Sequence, residues 1–256
     1  GVAGAQLDTS LSFVVCMILL HTNIQMKEKR LSVFHSRGRW IPEAHIVKEA
    51  VRIGLPMALE HSATSGAQVI STKIVAPLGT VAIAANSFAV TAESICYMPG
   101  FGISSAATTM VGQAIGAKRK DLARSFAWLT TFSGMVIMGL TGTIMFFTCP
   151  YVFAFLTPDP EVQQLGASVL RIELLAEPLF AASIVAGGAL RGAKDTLVPG
   201  IINLVSMWGI RLTLAMVLVK HIGLYGVWVA MATELSVRGI LFLIRLKKEK
   251  WLEKAI

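Results

Sequence analysis

Charge is what this sequence has least of. Asp, Glu, Lys and Arg make up 15% of its 256 residues, against about a quarter in an ordinary soluble domain. Hydrophobic residues reach 54% and the mean hydropathy is +0.66, a membrane composition. Cysteine is scarce as well. Cys16, Cys96 and Cys149 lie in different apolar runs with no CxxC or Cys/His pattern, which excludes a disulfide framework and a zinc module and leaves reduced, structural thiols. Walker sequences, zinc spacings and nucleophile elbows are also missing, so neither an enzyme nor an ATP-driven machine is expected. No cofactor and no resident metal are expected either. Gly112-Gln113-Ala114-Ile115-Gly116 follows no strand and is not a dinucleotide loop. Gly1 enters an apolar run directly, and the chain is expected to be a fragment of something longer.

What is present is a series of seven apolar segments: residues 1–21, 53–77, 81–117, 122–148, 161–190, 197–219 and 224–246. Each has the ~20 residues needed to cross ~30 Å of hydrocarbon. The expected fold is an all-α membrane protein, a helical bundle of about seven transmembrane helices. The expected divisions are one span at 1–22, a cytoplasmic linker at 23–52, a six-helix lobe at 53–246 and a basic cytoplasmic tail at 247–256. Within the linker, Pro42 stands at a helix start, and Ile46, Val47, Ala50 and Ile53 fall at helical spacing, which predicts an interfacial helix.

The net charge of +8 sits between the apolar runs and not on a soluble domain, so nucleic acid is not an expected partner. The connections alternate. One side carries Lys27, Lys29 and Arg30, then Lys118, Arg119, Lys120 and Arg124, then Arg191 and Lys194, then Lys247, Lys248 and Lys250; the other carries only Lys220. The positive side is cytoplasmic by the positive-inside rule, which puts the C-terminus in the cytoplasm. Single cysteines placed at Arg119 and Asp159 are therefore expected to label from opposite sides of sealed cells. Labelling of both from outside would overturn this topology.

One stretch, 86–124, combines an ionisable group in an apolar run, the helix-breaking pair Pro99-Gly100, the run Gly112-Gln113 to Gly116, and a basic close. A carboxylate at membrane depth is costly and is read as functional by default, and irregular backbone is tolerated there only inside protein or along a wet cavity. In the second segment Glu60, His61, Thr64, Ser65, Gln68, Ser71 and Thr72 share about 140° of a helix. In the third, Asn86, Glu93, Tyr97, Ser104 and Thr108 recur at helical spacing. The fifth has Glu173 and Glu177 one turn apart before Pro178, with Arg171 close enough to neutralise Glu173. Such stripes either pack helices through hydrogen bonds or bind a substrate or ion. Glu60 and Glu93 are the expected pair for a cation across the lobe cavity. Glu234 and Arg238, four residues apart, are expected to pair with each other.

Several stretches resemble one family. They are Leu55-Pro56 to Glu60, Ala76-Pro77 to Asn86, Glu93-Ser94-Ile95-Cys96-Tyr97-Met98-Pro99-Gly100-Phe101-Gly102, Val111-Gly112-Gln113 to Gly116-Ala117, and Leu190-Arg191-Gly192-Ala193-Lys194-Asp195-Thr196. Together they resemble the C-terminal lobe of the multidrug and toxic compound extrusion (MATE) transporters, with residues 1–21 as the last helix of the N-terminal lobe. The resemblance implies twelve helices in two lobes in the plasma (inner) membrane, and export of small organic cations or drugs in exchange for Na+ or H+. Membrane lipids and the missing N-terminal lobe are then the other partners, and the 256 residues alone are expected to be inactive. The acidic positions it implies fall at Glu60, where Na+ would bind, and at Glu177. The rival expectations are a lipid-linked saccharide flippase of a related superfamily, which would favour a basic cavity, and a membrane scaffold without transport.

Overall fold

The computed structural model describes residues 2–27 and 43–254. The chain divides into two compact units, Gly1–Ala50 and Val51–Ile256. In the first, α1 (Val2–Lys27) is one 26-residue helix, and Leu11, Phe13, Met17 and Leu20 on its apolar stretch are exposed. The linker's basic cluster and Pro42 lie outside the described residues. The interfacial helix predicted from Ile46 to Ile53 is not a separate piece, because α2 runs without interruption over Ala44–Val75. Val47, Val51, Leu55 and Leu59 follow one another at four-residue intervals, so one apolar row continues across the expected boundary.

The remaining elements are α3 (Thr80–Gly116), α4 (Lys120–Leu156), α5 (Pro160–Leu174), α6 (Glu177–Gly192), α7 (Leu197–Val205), α8 (Thr213–Ile222), α9 (Leu224–Lys247) and a short α10 (Lys250–Lys254). Among the described residues, four helical stretches are long and apolar enough to cross a membrane: Thr80–Gly116, Lys120–Leu156, Leu197–Ile222 and Leu224–Lys247. Seven spans were expected. Polar residues dilute α2, the apolar part described in α1 is only Ser10–Thr22, and the fifth segment is two helices rather than one.

The break falls elsewhere than expected. Pro99 and Gly100 lie inside α3, which continues as a 37-residue helix. Gly100 serves packing: a side chain there would run into the Met138 sulfur on α4. The chain instead breaks at Leu175-Ala176, between α5 and α6. Pro178 is the second residue of α6, where its missing N–H falls among donors that have no helical acceptor. A second irregularity is the seven-residue π-helical stretch Ser206–Leu212 between α7 and α8. Such turns are rare and are frequent at functional sites.

Two apolar cores are stacked along the bundle. One gathers Ala82, Ala85, Ala89 and Ala92 of α3 with Phe153, Leu170 and Trp228. The other gathers Ala107 and Val111 with Ala123, Val185, Leu190, Phe242 and Trp251. Lipid tails are as apolar as the helices, so close van der Waals packing and interhelical hydrogen bonds drive association here, and small residues allow it. Residues 181–190 of α6 are all buried. Ser104 Oγ donates to the Ile184 carbonyl at 2.8 Å and Thr108 Oγ1 to the Gly188 carbonyl at 2.9 Å, which stitches α3 to α6.

Candidate cation site

The structure separates the two glutamates expected to act together. Glu60 is half-buried, accepts a hydrogen bond from the Asn203 side-chain amide of α7, and has Arg191 and Arg238 within electrostatic range. Glu93 belongs to another group. It is buried on α3, and the charges it senses are those of Glu173, Glu177 and Arg211. Glu60 and Glu93 therefore have different charged neighbours. Two one-turn-spaced carboxyls at the α5–α6 break, Glu173 and Glu177, are buried beside Glu93.

Glu173 and Glu177 are fully buried, and none of their four carboxylate oxygens accepts a hydrogen bond from the protein. Arg171, expected to neutralise Glu173, turns away: its Nε donates to the Phe146 carbonyl at 3.2 Å and its guanidinium lies 5.4 Å from the Phe146 ring centroid. Arg211 is the cation near Glu93 and Glu173, and the π-helical stretch carries it. Its Nη2 donates to the Met231 sulfur at 2.8 Å, and its Nε has no partner. An unpaired buried polar group costs several kcal/mol in an apolar medium (about 4–8 for an amide or hydroxyl) and a charge costs more, so three acids here with one arginine are an expensive arrangement. Among the described residues no three His, Cys, Asp or Glu side chains are placed to hold a metal ion. The acids share their charge without forming a closed ligand shell.

The other predicted positions divide. Tyr97 lies beside this group, edge-on to Phe101 at 5.7 Å and to Phe180 at 5.8 Å between ring centroids. Asn86 accepts from the Trp228 indole at 3.1 Å, and so bonds α3 to α9. On α2, Thr64 Oγ1 donates to the Glu60 carbonyl at 2.8 Å, while His61 and Gln68 are exposed. Gln113 is exposed. Gly112 faces the Gly192 carbonyl, at 3.4 Å from where a Cβ would stand, whereas Gly116 faces open space. The Arg191 Nη2 donates to Ser104 Oγ at 3.4 Å, and Asp195 forms a buried pair with Arg245 at 2.6 Å.

Glu234 and Arg238 do pair, at 3.2 Å, and Ser206 Oγ donates to the same Glu234 oxygen at 2.8 Å. The sequence reading missed Asn203, Ser206 and the aromatic neighbours Phe101 and Phe180. Asn203 and Ser206 stand three apart in the sixth segment, and that spacing was the available signal. The arrangement can hold an exchangeable positive charge at Glu93, Glu173 and Glu177, with a second carboxylate at Glu60 already engaged by an amide.

A family model described as MatE matches residues 56–217. A probable multidrug resistance protein NorM from Thermotoga maritima is 32% identical over 262 residues, covering 100% of this chain and 55% of the relative. The uncharacterised transporter YisQ of Bacillus subtilis is 26% identical, covering 100% of this chain and 56% of the relative. Among solved structures, the bent form of the Vibrio cholerae MATE transporter VcmN superposes with a TM-score of 0.82 at 15% identity, over 96% of this chain and 55% of that one. The chain belongs to the MatE family, and it is a multi-pass membrane protein. It spans about half the length of the curated relatives it matches.

Proposed function

We propose that this chain is the C-terminal lobe of an ion-coupled exporter of organic cations or drugs in the plasma membrane. Two similarities support the reading: relatives named as multidrug resistance proteins and the MatE match. The observation that carries it is the buried trio Glu93, Glu173 and Glu177, two of them without any protein donor. A scaffold has no use for such costly groups, and a flippase for an anionic headgroup would place cations there.

In this reading Na+ or H+ occupies the trio in one conformation and leaves in another, when an arriving drug competes for the negative charge. Glu60, at the half-buried stripe of α2, meets the drug. Access alternates as two lobes rock about a midplane site, so export needs both lobes.

The test is efflux of a fluorescent organic cation from cells expressing the full-length protein. Glu60→Gln and Glu93→Gln are each expected to cut gradient-driven efflux at least about tenfold, a change of about 1.4 kcal/mol, with protein levels unchanged. Glu161→Gln, at an exposed site near the start of α5, should behave as wild type. Normal coupled efflux in both Glu60→Gln and Glu93→Gln would remove the support for this function.

A further inference from the structure

Trp251 is fully buried in the core that also contains Ala114 and Ala123, Ala193 and Leu246. It thereby gathers three turns at one end of the bundle: α3 to α4, α6 to α7, and α9 to α10. The Trp251 indole donates to the Leu246 carbonyl at 3.1 Å, and Arg124 of α4 bridges to Glu249 at 2.9 Å.

Charges at this end fall into two kinds. The arginines are satisfied within the protein: Arg119 by Asp121 at 2.8 Å, Arg124 by Glu249, and Arg245 by Asp195 at 2.6 Å. The Arg119 pair is two-pronged, since its Nε also donates to the other Asp121 oxygen at 3.1 Å. Five lysines are not so placed. Lys118, Lys120, Lys247, Lys248 and Lys250 are all exposed, with Glu253 and the Arg119-paired Asp121 the exposed acids beside them.

Helix dipoles explain only part of this. Cations after α3 and α9 suit those C-termini, but Lys120 opens α4, where a cation is disfavoured. Lys118 also holds a left-handed backbone at φ 58°, a conformation that favours glycine. The chain thus keeps lysines at positions that local structure disfavours. They stand at the ends of membrane-length helices, the level at which lipid phosphates lie.

We propose that this lysine-rich end of the bundle binds anionic phospholipid headgroups. Lysine is a compact, hydrated point charge on a flexible stem, suited to mobile headgroups and not to one fixed bidentate ligand. The five side chains rise from turns that Trp251 holds together, so they face the bilayer surface as one patch. The proposal rests on the membrane reading of the fold and not on the coupling site.

The test uses full-length protein in bilayers containing spin-labelled phosphatidylglycerol or phosphatidylcholine. The wild type is expected to prefer phosphatidylglycerol severalfold, with each lysine contributing up to about fivefold. Replacing all five lysines by Gln should bring the preference near parity, and Lys73→Gln with Lys220→Gln, near the opposite end, should leave it intact. In the wild type, ~1 M salt, with a Debye length of about 3 Å, should weaken it. The proposal is overturned by an unchanged preference in the five-fold variant, by insensitivity to salt, or by loss of preference in millimolar inorganic phosphate, which would mark a site for free anions.

Discussion

Converting both Glu173 and Glu177 to Gln in the full-length protein is expected to abolish gradient-driven efflux while the protein still inserts and folds. The reason is their isolation. Both side chains are fully buried, their oxygens take no hydrogen bond from the protein, and Arg211, the cation that acts on Glu173, acts on Glu93 as well. A structural acid in a membrane helix is normally paired, as Glu234 is with Ser206 and Arg238. Glu173 and Glu177 contribute no such pairing, so their removal should not loosen the bundle. Replacing a buried ion pair with apolar residues of similar volume is often neutral or stabilising by about 1–4 kcal/mol, and these acids lack even the partner that offsets the cost of burying charge. Glu173→Leu is accordingly expected to melt at or above the wild-type temperature and to lose coupled efflux. A structural role makes the opposite forecast: Glu173→Leu would melt earlier, and any loss of efflux would follow loss of protein. Thermal melting in detergent beside efflux in cells separates the two.

The helical bundle was legible in the sequence because apolar length and alternating loop charge are strong signals. The site was legible in part. Membrane carboxylates stand out wherever they occur, so Glu60, Glu93 and Glu177 could be named. Their partners could not, because helical period gives a face but not the neighbour opposite it. Asn86 shows the limit. It shares a stripe with Glu93, yet it bonds the Trp228 indole and serves packing. Prolines misled for a similar reason. Pro99 and Pro178 look alike in one dimension. Pro99 is carried inside a 37-residue helix, whereas Pro178 follows a real break. The π-helical stretch at Ser206–Leu212 leaves no composition signature, since its residues would suit an α-helix equally well. Trp251 stood in a stretch expected only to be a basic cytoplasmic tail. Only the tertiary structure shows it tucked beneath three turns.

Gly188→Val is expected to be strongly destabilising, costing about 3 kcal/mol or more, at the upper end for overpacking. A Cβ at Gly188 would land on the Ser104 hydroxyl and carbonyl, with the carbonyl carbon at 3.1 Å. Most of what it meets is backbone, so no rotamer change relieves it. Gly192, one turn on, meets the Thr108 backbone in the same way, with the Thr108 carbonyl carbon and Cα both at 3.1 Å. The two glycines face the two residues, Ser104 and Thr108, whose hydroxyls stitch α3 to α6. Pushing the helices apart would also lengthen the Ser104–Ile184 and Thr108–Gly188 bonds, each worth about 0.6 kcal/mol on average between membrane helices. It would also disturb Arg191, which donates to Ser104 Oγ. Gly102, on α3, is the internal comparison, because a Cβ there would meet nothing within 4 Å. Gly102→Ala is expected to be neutral or to stabilise by up to about 1 kcal/mol through helix propensity. Thermal melting of the two purified variants measures the contrast. Equal melting temperatures for Gly188→Val and the wild type would mean that α3 and α6 are not packed this closely.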